Sequence, residues 1–233
     1  MRALVTGASR RIGIGHAIAE RLRRGGASVF THGWTPHDET QDWGADDLEA
    51  DIEADFADPE APARVITAAR EKLGPLDTLV VNHARSGHGR LGELTAGEID
   101  AFLHENVRAS LLLVKEFAAQ FEADSGAVVL LTSGAHLAPM TREVAYAVSK
   151  GALAVITSTL ADELAERRIR VNCVNPGPTD TGWGLADIDP NRAMPFGRWA
   201  EPDDAARLVA WLCSDDGRWV TGQVIDSEGG FRR

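Results

Sequence analysis

The chain contains one tyrosine, Tyr146, which stands four residues before a lysine in Tyr146-Ala147-Val148-Ser149-Lys150. In a helix that spacing brings both side chains to one face. A free phenol has a pKa of ~10 and is a poor base near neutrality, whereas a neighbouring ammonium favours phenolate and lowers that value. The pair reads as a proton-exchanging device, although an exposed i,i+4 pair on a surface helix would be spelled the same way. A second feature lies near the N-terminus, where Thr6-Gly7-Ala8-Ser9-Arg10-Arg11-Ile12-Gly13-Ile14-Gly15 leads into a helical His16-Ala17-Ile18-Ala19-Glu20. Glycines let the chain turn sharply and let its backbone approach a pyrophosphate. The helix that follows offers unpaired N–H groups and a positive dipole end to the anion.

Other candidate chemistry is weaker. His83 and His88 share a loop, but no HExxH or comparable close ligand pattern occurs, so the histidines read as structural or substrate-lining and no metal is expected. Ser133 sits in Leu131-Thr132-Ser133-Gly134-Ala135, which lacks the first glycine of a GxSxG nucleophile elbow. Cys173 and Cys213 form no CxxC pair and read as two reduced thiols.

The elements that must position these groups follow from hydrophobic periodicity. Ala3–Val5, Ser28–Thr31, Thr78–Val81, Ala127–Thr132, Arg170–Val174 and Gln223–Ile225 read as buried strands, with a further strand through the acid-rich Asp51–Ala54. Between them lie helical patterns at His16–Arg24, Ala61–Leu73, Glu98–Phe121, Val144–Glu166 and Asp203–Leu212. Strand and helix taking turns predicts an α/β protein. We expect a single doubly wound Rossmann-type domain spanning residues 1–233, with a parallel sheet of about seven strands covered by helices on both faces. Two stretches, Gly33–Asp47 and Gly177–Trp199, are irregular and long enough to be functional. The formal charge of −11 is spread along the chain without a basic cluster, which argues against nucleic acid or an anionic membrane as partner. No apolar run approaches the ~20 residues of a membrane span, and the chain enters its first strand at once, so we expect a cytoplasmic protein.

The glycine turn, Ser133, Tyr146 and Lys150, taken with Asn106 in Glu105-Asn106-Val107 and with Asn175-Pro176-Gly177-Pro178-Thr179-Asp180-Thr181, resemble the short-chain dehydrogenase/reductase family, in its 3-oxoacyl reductase-like branch. The resemblance covers nearly the whole chain. It includes Arg198-Trp199-Ala200-Glu201-Pro202 and Val220-Thr221-Gly222-Gln223, while Ser227-Glu228-Gly229-Gly230 departs mildly from the usual ending. It implies catalytic roles for four residues. Tyr146 gives or takes a proton at the substrate oxygen, and Ser133 orients that oxygen. Lys150 lowers the phenol's pKa and contacts the nicotinamide ribose, and Asn106 anchors a water on the proton path to Lys150. The resemblance also implies that Gly7, Ser9, Arg10, Gly13, Ile14 and Gly15 cradle the cofactor. Asp55 and Phe56 would meet its adenine, Asn82 would lie beside it, and Pro176, Gly177, Thr179 and Thr181 would approach the carboxamide.

Two motifs depart from the family's spelling. Gly7 and Gly13 are separated by five residues rather than three. We read Arg11-Ile12 as an enlargement of the turn, which lets Gly15 open the helix; the other frame puts Arg11 at the middle glycine and Gly13 last. At the end of strand four, Asn82 fits the family's second asparagine, whereas Val81 and His83 do not.

No acid ends the second strand, since Asp38 comes several residues late, and Arg10 lies where NADP-using relatives carry an arginine near the 2′-phosphate. Arg10 could equally be a solvated charge, so NADP(H) is preferred over NAD(H) on this single residue. The expected activity is NAD(P)-dependent hydride transfer between nicotinamide and a carbonyl or secondary alcohol. The competing reading is a non-catalytic nucleotide sensor or scaffold on the same fold. Trp183, Leu185, Met194, Phe196 and Trp199 fall where relatives carry a substrate lid, around residues 178–199. Their apolar character fits a bulky substrate, a core or a subunit contact. The resemblance further implies a homo-oligomer, a dimer or a homotetramer.

Overall fold

A computed structural model describes residues 1–41, 44–182, 185 and 189–232. Trp183, named above for the lid, lies outside the described residues. The strands are β1 (Arg2–Thr6), β2 (Ser28–Gly33), β3 (Ile52–Glu53), β4 (Thr78–Val81), β5 (Gly126–Leu131), β6 (Ile169–Asn175) and β7 (Val224–Asp226). They form one seven-stranded sheet in the order β3-β2-β1-β4-β5-β6-β7, with every pairing parallel. The doubly wound α/β expectation holds, and so does the acid-rich third strand, shortened to two residues.

Side chains alternate between two buried faces, as period-2 geometry requires. Leu4, Leu79, Val128, Leu130, Val171 and Cys173 enter one core cluster; Ala3, Val5, Val80, Val129, Leu131 and Val174 enter the other. The first is covered by α3 (Ala61–Leu73), α5 (Ala109–Ala119) and α6 (Val144–Ala165), the second by α1 (Ile14–Arg24) and α8 (Pro202–Cys213). Arg21 clamps α1 to α8 with two bonds to Asp203, at 2.7 and 2.6 Å.

Two stretches differ from the periodic reading, and a third, α6, keeps its expected bounds to within one residue. A short α2 (Thr35–Glu39) interrupts the first irregular stretch, with Pro36 in its opening turn. The stretch read as one helix over Glu98–Phe121 is α4 (Ala96–Phe102), a π-helical turn at Leu103–Arg108, and α5. Finally, α6 is 22 residues long with a mean hydropathy of 1.4 in its richest window, long and apolar enough by composition to cross a membrane. Its buried residues include Leu153, Ala161 and Leu164, and all three belong to the core against the sheet. A short α7 (Pro190–Ala193) lies before α8.

The strand order reverses between β1 and β4. In open α/β sheets the crevice beyond the carboxyl ends of the strands at such a switch is where ligands bind. The glycine turn follows β1 and Asn82 follows β4, so both lie at that crevice.

Candidate active site

The cleft at the switch point has a volume of about 270 Å³. Its lining includes Ser9, Arg10, His32, Trp34, His37 and Asp38, then Gly7, Gly13, Ile14, Asp55, Phe56 and Asn82, together with Tyr146, Lys150, Pro176 and Thr181. The glycine turn and the Tyr–Lys pair, 131 or more residues apart in sequence, thus share one cavity. Of the other expected site residues, Gly15, Asn106, Ser133, Gly177 and Thr179 stand behind or beside this lining.

Gly7 has φ +67°, and a Cβ there would meet the His83 Cα at 2.7 Å. A Cβ on Gly15 would meet the Gly7 carbonyl oxygen at 2.2 Å and Asn82 Nδ2 at 2.6 Å, a closer clash than at Gly13, whose nearest atom is the Arg10 carbonyl oxygen at 3.0 Å. Gly15 is therefore the position of tight helix-to-turn packing and Gly13 caps α1, as the enlarged-turn frame requires. The added Arg11 leans outward, bonding Asp46 and Asp47 at 3.1 and 2.8 Å. Asn82 braces the turn from behind, its Nδ2 donating to the carbonyls of Thr6 and Gly7 at 3.1 and 2.8 Å.

Asp38, which the sequence placed out of reach, is buried in the cleft. The short α2 folds it back so that Ser9 Oγ donates to its carboxylate at 2.7 Å. Arg10 lies beside it and donates to the Thr181 carbonyl at 2.5 Å. Burial lowers the guanidinium pKa, and Asp38 opposes that shift. Phe56 is buried and stacked on His32, with ring centroids 4.1 Å apart. Asp55 accepts the Ala57 N–H at 2.8 Å beside the cleft.

The proton-exchanging end differs from expectation in one respect. Lys150 is buried, and its Nζ donates to the Leu131 carbonyl at 2.8 Å. Burial brings the amine down to about 8. The Tyr146 phenol is not lowered: burial, with the Glu143 carboxylate adding to it, pushes its pKa above the ordinary value, so it is held as a neutral acid. Glu143 is itself shifted upward by burial and stands 3.5 Å from His88.

Asn106 ties this end together. Its Oδ1 accepts the Arg85 N–H at 2.7 Å, and its Nδ2 donates to the Arg85 carbonyl and to Ser149 Oγ, both at 2.9 Å. Ser149 Oγ donates to the Tyr146 carbonyl at 2.8 Å. Thr132 Oγ1 donates to the Lys150 carbonyl at 2.7 Å, anchoring α6 to the end of β5, and Ser133 follows with its hydroxyl 3.9 Å from the Met140 sulfur. Sequence reading missed Ser149 and Thr132, whose hydroxyls are spent on backbone carbonyls and carry no motif. In the Pro-Gly segment, Thr179 turns its hydroxyl back to the Gly177 carbonyl at 3.2 Å, while Pro176 and Thr181 face the cleft. Among the described residues no group of three or more His, Cys, Asp or Glu could hold a metal.

A family model described as enoyl-(acyl carrier protein) reductase, from the short-chain dehydrogenase/reductase family, matches residues 7–232. The chain belongs to the short-chain dehydrogenase/reductase family. It is 38% identical over 242 residues to the "uncharacterized oxidoreductase YjdA" of Bacillus subtilis, covering 99% of this chain and 96% of that protein. Among solved structures, a short-chain dehydrogenase from Burkholderia cenocepacia in complex with NADP superposes with a TM-score of 0.86 at 37% identity, over 98% of this chain and 96% of that one. A blue fluorescent protein from a metagenomic library, in complex with NADPH, gives 0.85 at 34% identity, over 99% and 97%. This family member is an oxidoreductase, which sets aside the scaffold reading.

Proposed function

We propose that this oxidoreductase transfers hydride between NADP(H) and a carbonyl or secondary-alcohol substrate, with Tyr146 exchanging the proton at the substrate oxygen. The observation that carries the reading is the single cleft shared by the glycine turn, Tyr146 and Lys150. Its lining suits a dinucleotide. Gly7 and Gly15 let the turn fold tightly at the mouth of the cleft, where a Cβ would collide with His83 or the Gly7 carbonyl, and α1 opens at Ile14 directly after the turn. Gly7, Ser9, Arg10, Gly13 and Ile14 would hold the pyrophosphate and adenosine end, Asp55 and Phe56 the adenine, and Lys150, Pro176 and Thr181 the nicotinamide end. Once bound, the cofactor supplies or accepts the hydride.

The chain's own groups handle the proton and the oxygen. The neutral Tyr146 phenol is in the state needed to donate to a carbonyl oxygen as negative charge builds on it. Ser133 steadies that oxygen by a hydrogen bond worth most at the transition state. Lys150 supplies positive charge at the ribose side. Asn106 holds the backbone at Arg85 and, through Ser149, the turn of α6 that bears Tyr146.

Preference for NADP(H) is supported by the Arg10 cation in the glycine turn, by the absence of an acid at the tip of β2, where Gly33 packs on Ser9, and by the NADP(H) carried by the two structural relatives. The buried Asp38 beside Arg10 limits that preference, because a carboxylate opposes a phosphate. Residues 178–199 act as the substrate lid. Met194 is buried, and Trp199 meets Phe231 at 6.4 Å, so part of this segment's apolar surface is committed to the C-terminus rather than to substrate. The enzyme works in the cytoplasm as a homotetramer.

Fluorescence titration with NADPH and NADH, followed by a carbonyl screen read by NADPH absorbance, tests the reading. NADPH should bind more tightly, and Tyr146→Phe should lose about 10³-fold or more in turnover while binding cofactor as wild type does. Robust turnover by that variant would refute the assignment.

A further inference from the structure

Two buried histidines unused by the proton chemistry lie beneath the glycine turn. His83 Nε2 is 3.0 Å from the Glu105 carbonyl oxygen. A carbonyl only accepts, so Nε2 carries the hydrogen. Burial keeps the ring's pKa well below its ordinary value, so the ring is neutral and its Nδ1 is an acceptor. Thr6 Oγ1 lies 2.9 Å from Nδ1 and 3.4 Å from the Val80 carbonyl oxygen, so its one hydrogen goes to the closer Nδ1, and that oxygen accepts the backbone N–H groups of Asn82 and His83 at 3.1 and 3.3 Å. The direction of every link is thereby set, from the Thr6 hydroxyl through the His83 ring to the Glu105 carbonyl. His32 repeats the pattern more weakly, with Nε2 2.9 Å from the Ala54 carbonyl and Nδ1 3.4 Å from the Gly7 N–H. Phe56 packs on both rings, at centroid distances of 4.1 and 4.3 Å.

The two ends of the His83 link belong to the two halves of the cleft. Thr6 opens the glycine turn. Glu105 precedes Asn106 in the π-helical turn, and Asn106 reaches Arg85, Ser149 and, through Ser149, the helical turn of Tyr146. We infer that His83 is a positioning residue whose Nε2–H ring spaces the cofactor turn from the Asn106–Tyr146 network, keeping hydride source and proton donor in register. The inference rests on the function proposed above.

Asparagine and glutamine separate the two arms. In His83→Asn the carboxamide sits where Nδ1 was and keeps the Thr6 contact alone; in His83→Gln it reaches the Nε2 position and keeps the Glu105 contact alone. His83→Gln should weaken NADPH binding about tenfold in fluorescence titration with kcat within about twofold, while His83→Asn should bind NADPH within about twofold of wild type and lose about tenfold in kcat, each the size of one buried hydrogen bond. Constants that stay at wild-type values in both variants, or fall in parallel, would overturn the inference, since a purely structural ring gives no such split. Should either variant fail to fold, ¹⁵N spectra of the labelled wild-type protein decide. They should show His83 neutral, with Nε2 protonated and Nδ1 bare, between about pH 6 and 8; an Nδ1–H tautomer or an imidazolium there would sink the idea. An absence of turnover by wild type would fall on the proposed reaction instead; the NADPH titrations and the spectra need none, and His83→Gln binding NADPH as wild type does would still overturn the inference.

Discussion

Lys150 is almost wholly buried with its amine on the Leu131 carbonyl, and burial moves its pKa from 10.5 down to about 8. Below pH 8 the ammonium is charged in both folded and unfolded chains, and folding carries the full cost of burying it. Between about 8 and 10.5 the unfolded chain holds a proton that the folded chain has released, so stability from this group rises with pH across that window. Cys173 and Cys213, pushed up to about 11 and about 12 by burial, work in the opposite direction above 9; Cys213 is common to wild type and a Lys150→Met variant, and Cys173 loses there only the downward pull of the Lys150 charge, which is smaller than the effect of burial. The unfolding free energy of the variant relative to wild type should therefore fall by about 3 kcal/mol between pH 7 and 11. Urea denaturation across that range checks it, and a pH-independent difference would mean the amine is not held in a low-dielectric site. At this scale Tyr146 and Lys150 were readable because the i,i+4 rule needs only a helix. Asp38 was not, because its place in the cleft depends on a five-residue helix that a count along the chain passes over. The Thr35-Pro36 opening was the available signal, since proline suits the first turn of a helix.

The glycine turn and the π-helical turn are where element geometry departs from a simple reading. Two extra residues lengthen the first, and the structure resolves which glycine takes the close contact. Gly15→Ala would drive a methyl to 2.2 Å from the Gly7 carbonyl oxygen and push Asn82 off the turn, whereas Gly13→Ala meets the Arg10 carbonyl at 3.0 Å. Overpacking of this kind costs ~1–3 kcal/mol. Gly15→Ala should lower Tm by several degrees and weaken NADPH binding by more than tenfold, with Gly13→Ala milder on both measures. The reverse order, seen by thermal melts and fluorescence titration, would restore the frame in which Gly13 is the tight glycine. The boundaries of α1 and α3 were close to legible because apolar spacing and a terminal glycine mark them. The π turn at Leu103–Arg108 was not, because one extra residue in a helical turn leaves the run apolar and helical in appearance while rotating Asn106 inward to a fully buried position. Asn106 itself was legible only through the family's pattern.

Across the whole molecule, the alternating strands specify a sheet covered on both faces, and among the described residues several large apolar side chains are left exposed. On α6, Val148 and Val155 are seven residues apart on one face, 57% and 80% exposed, with Gly151 and Ala152 between them, and Leu111 of α5 is also exposed. Trp211 on α8 is 41% exposed and Trp219 is 95% exposed. Residue types alone did not separate the outward strip of α6 from its core face, since both are apolar and the helix has almost no polar side. Exposed apolar surface is one place where subunits meet, and the proposed homotetramer needs two kinds of two-fold interface, for which the α6 strip and the exposed tryptophans are the candidates. Burying one valine contributes roughly 1.5–3 kcal/mol, and the two-fold repeats each contact, so a carboxylate at Val155 is felt twice per interface. Val155→Glu should therefore split the proposed homotetramer into dimers held through the exposed tryptophans, seen by light scattering after gel filtration, and leave the monomer's fold intact by circular dichroism. A wild-type protein that elutes as a monomer would remove the tetramer from the proposal. A variant that remains tetrameric would show that α6 faces solvent and that the second interface lies elsewhere.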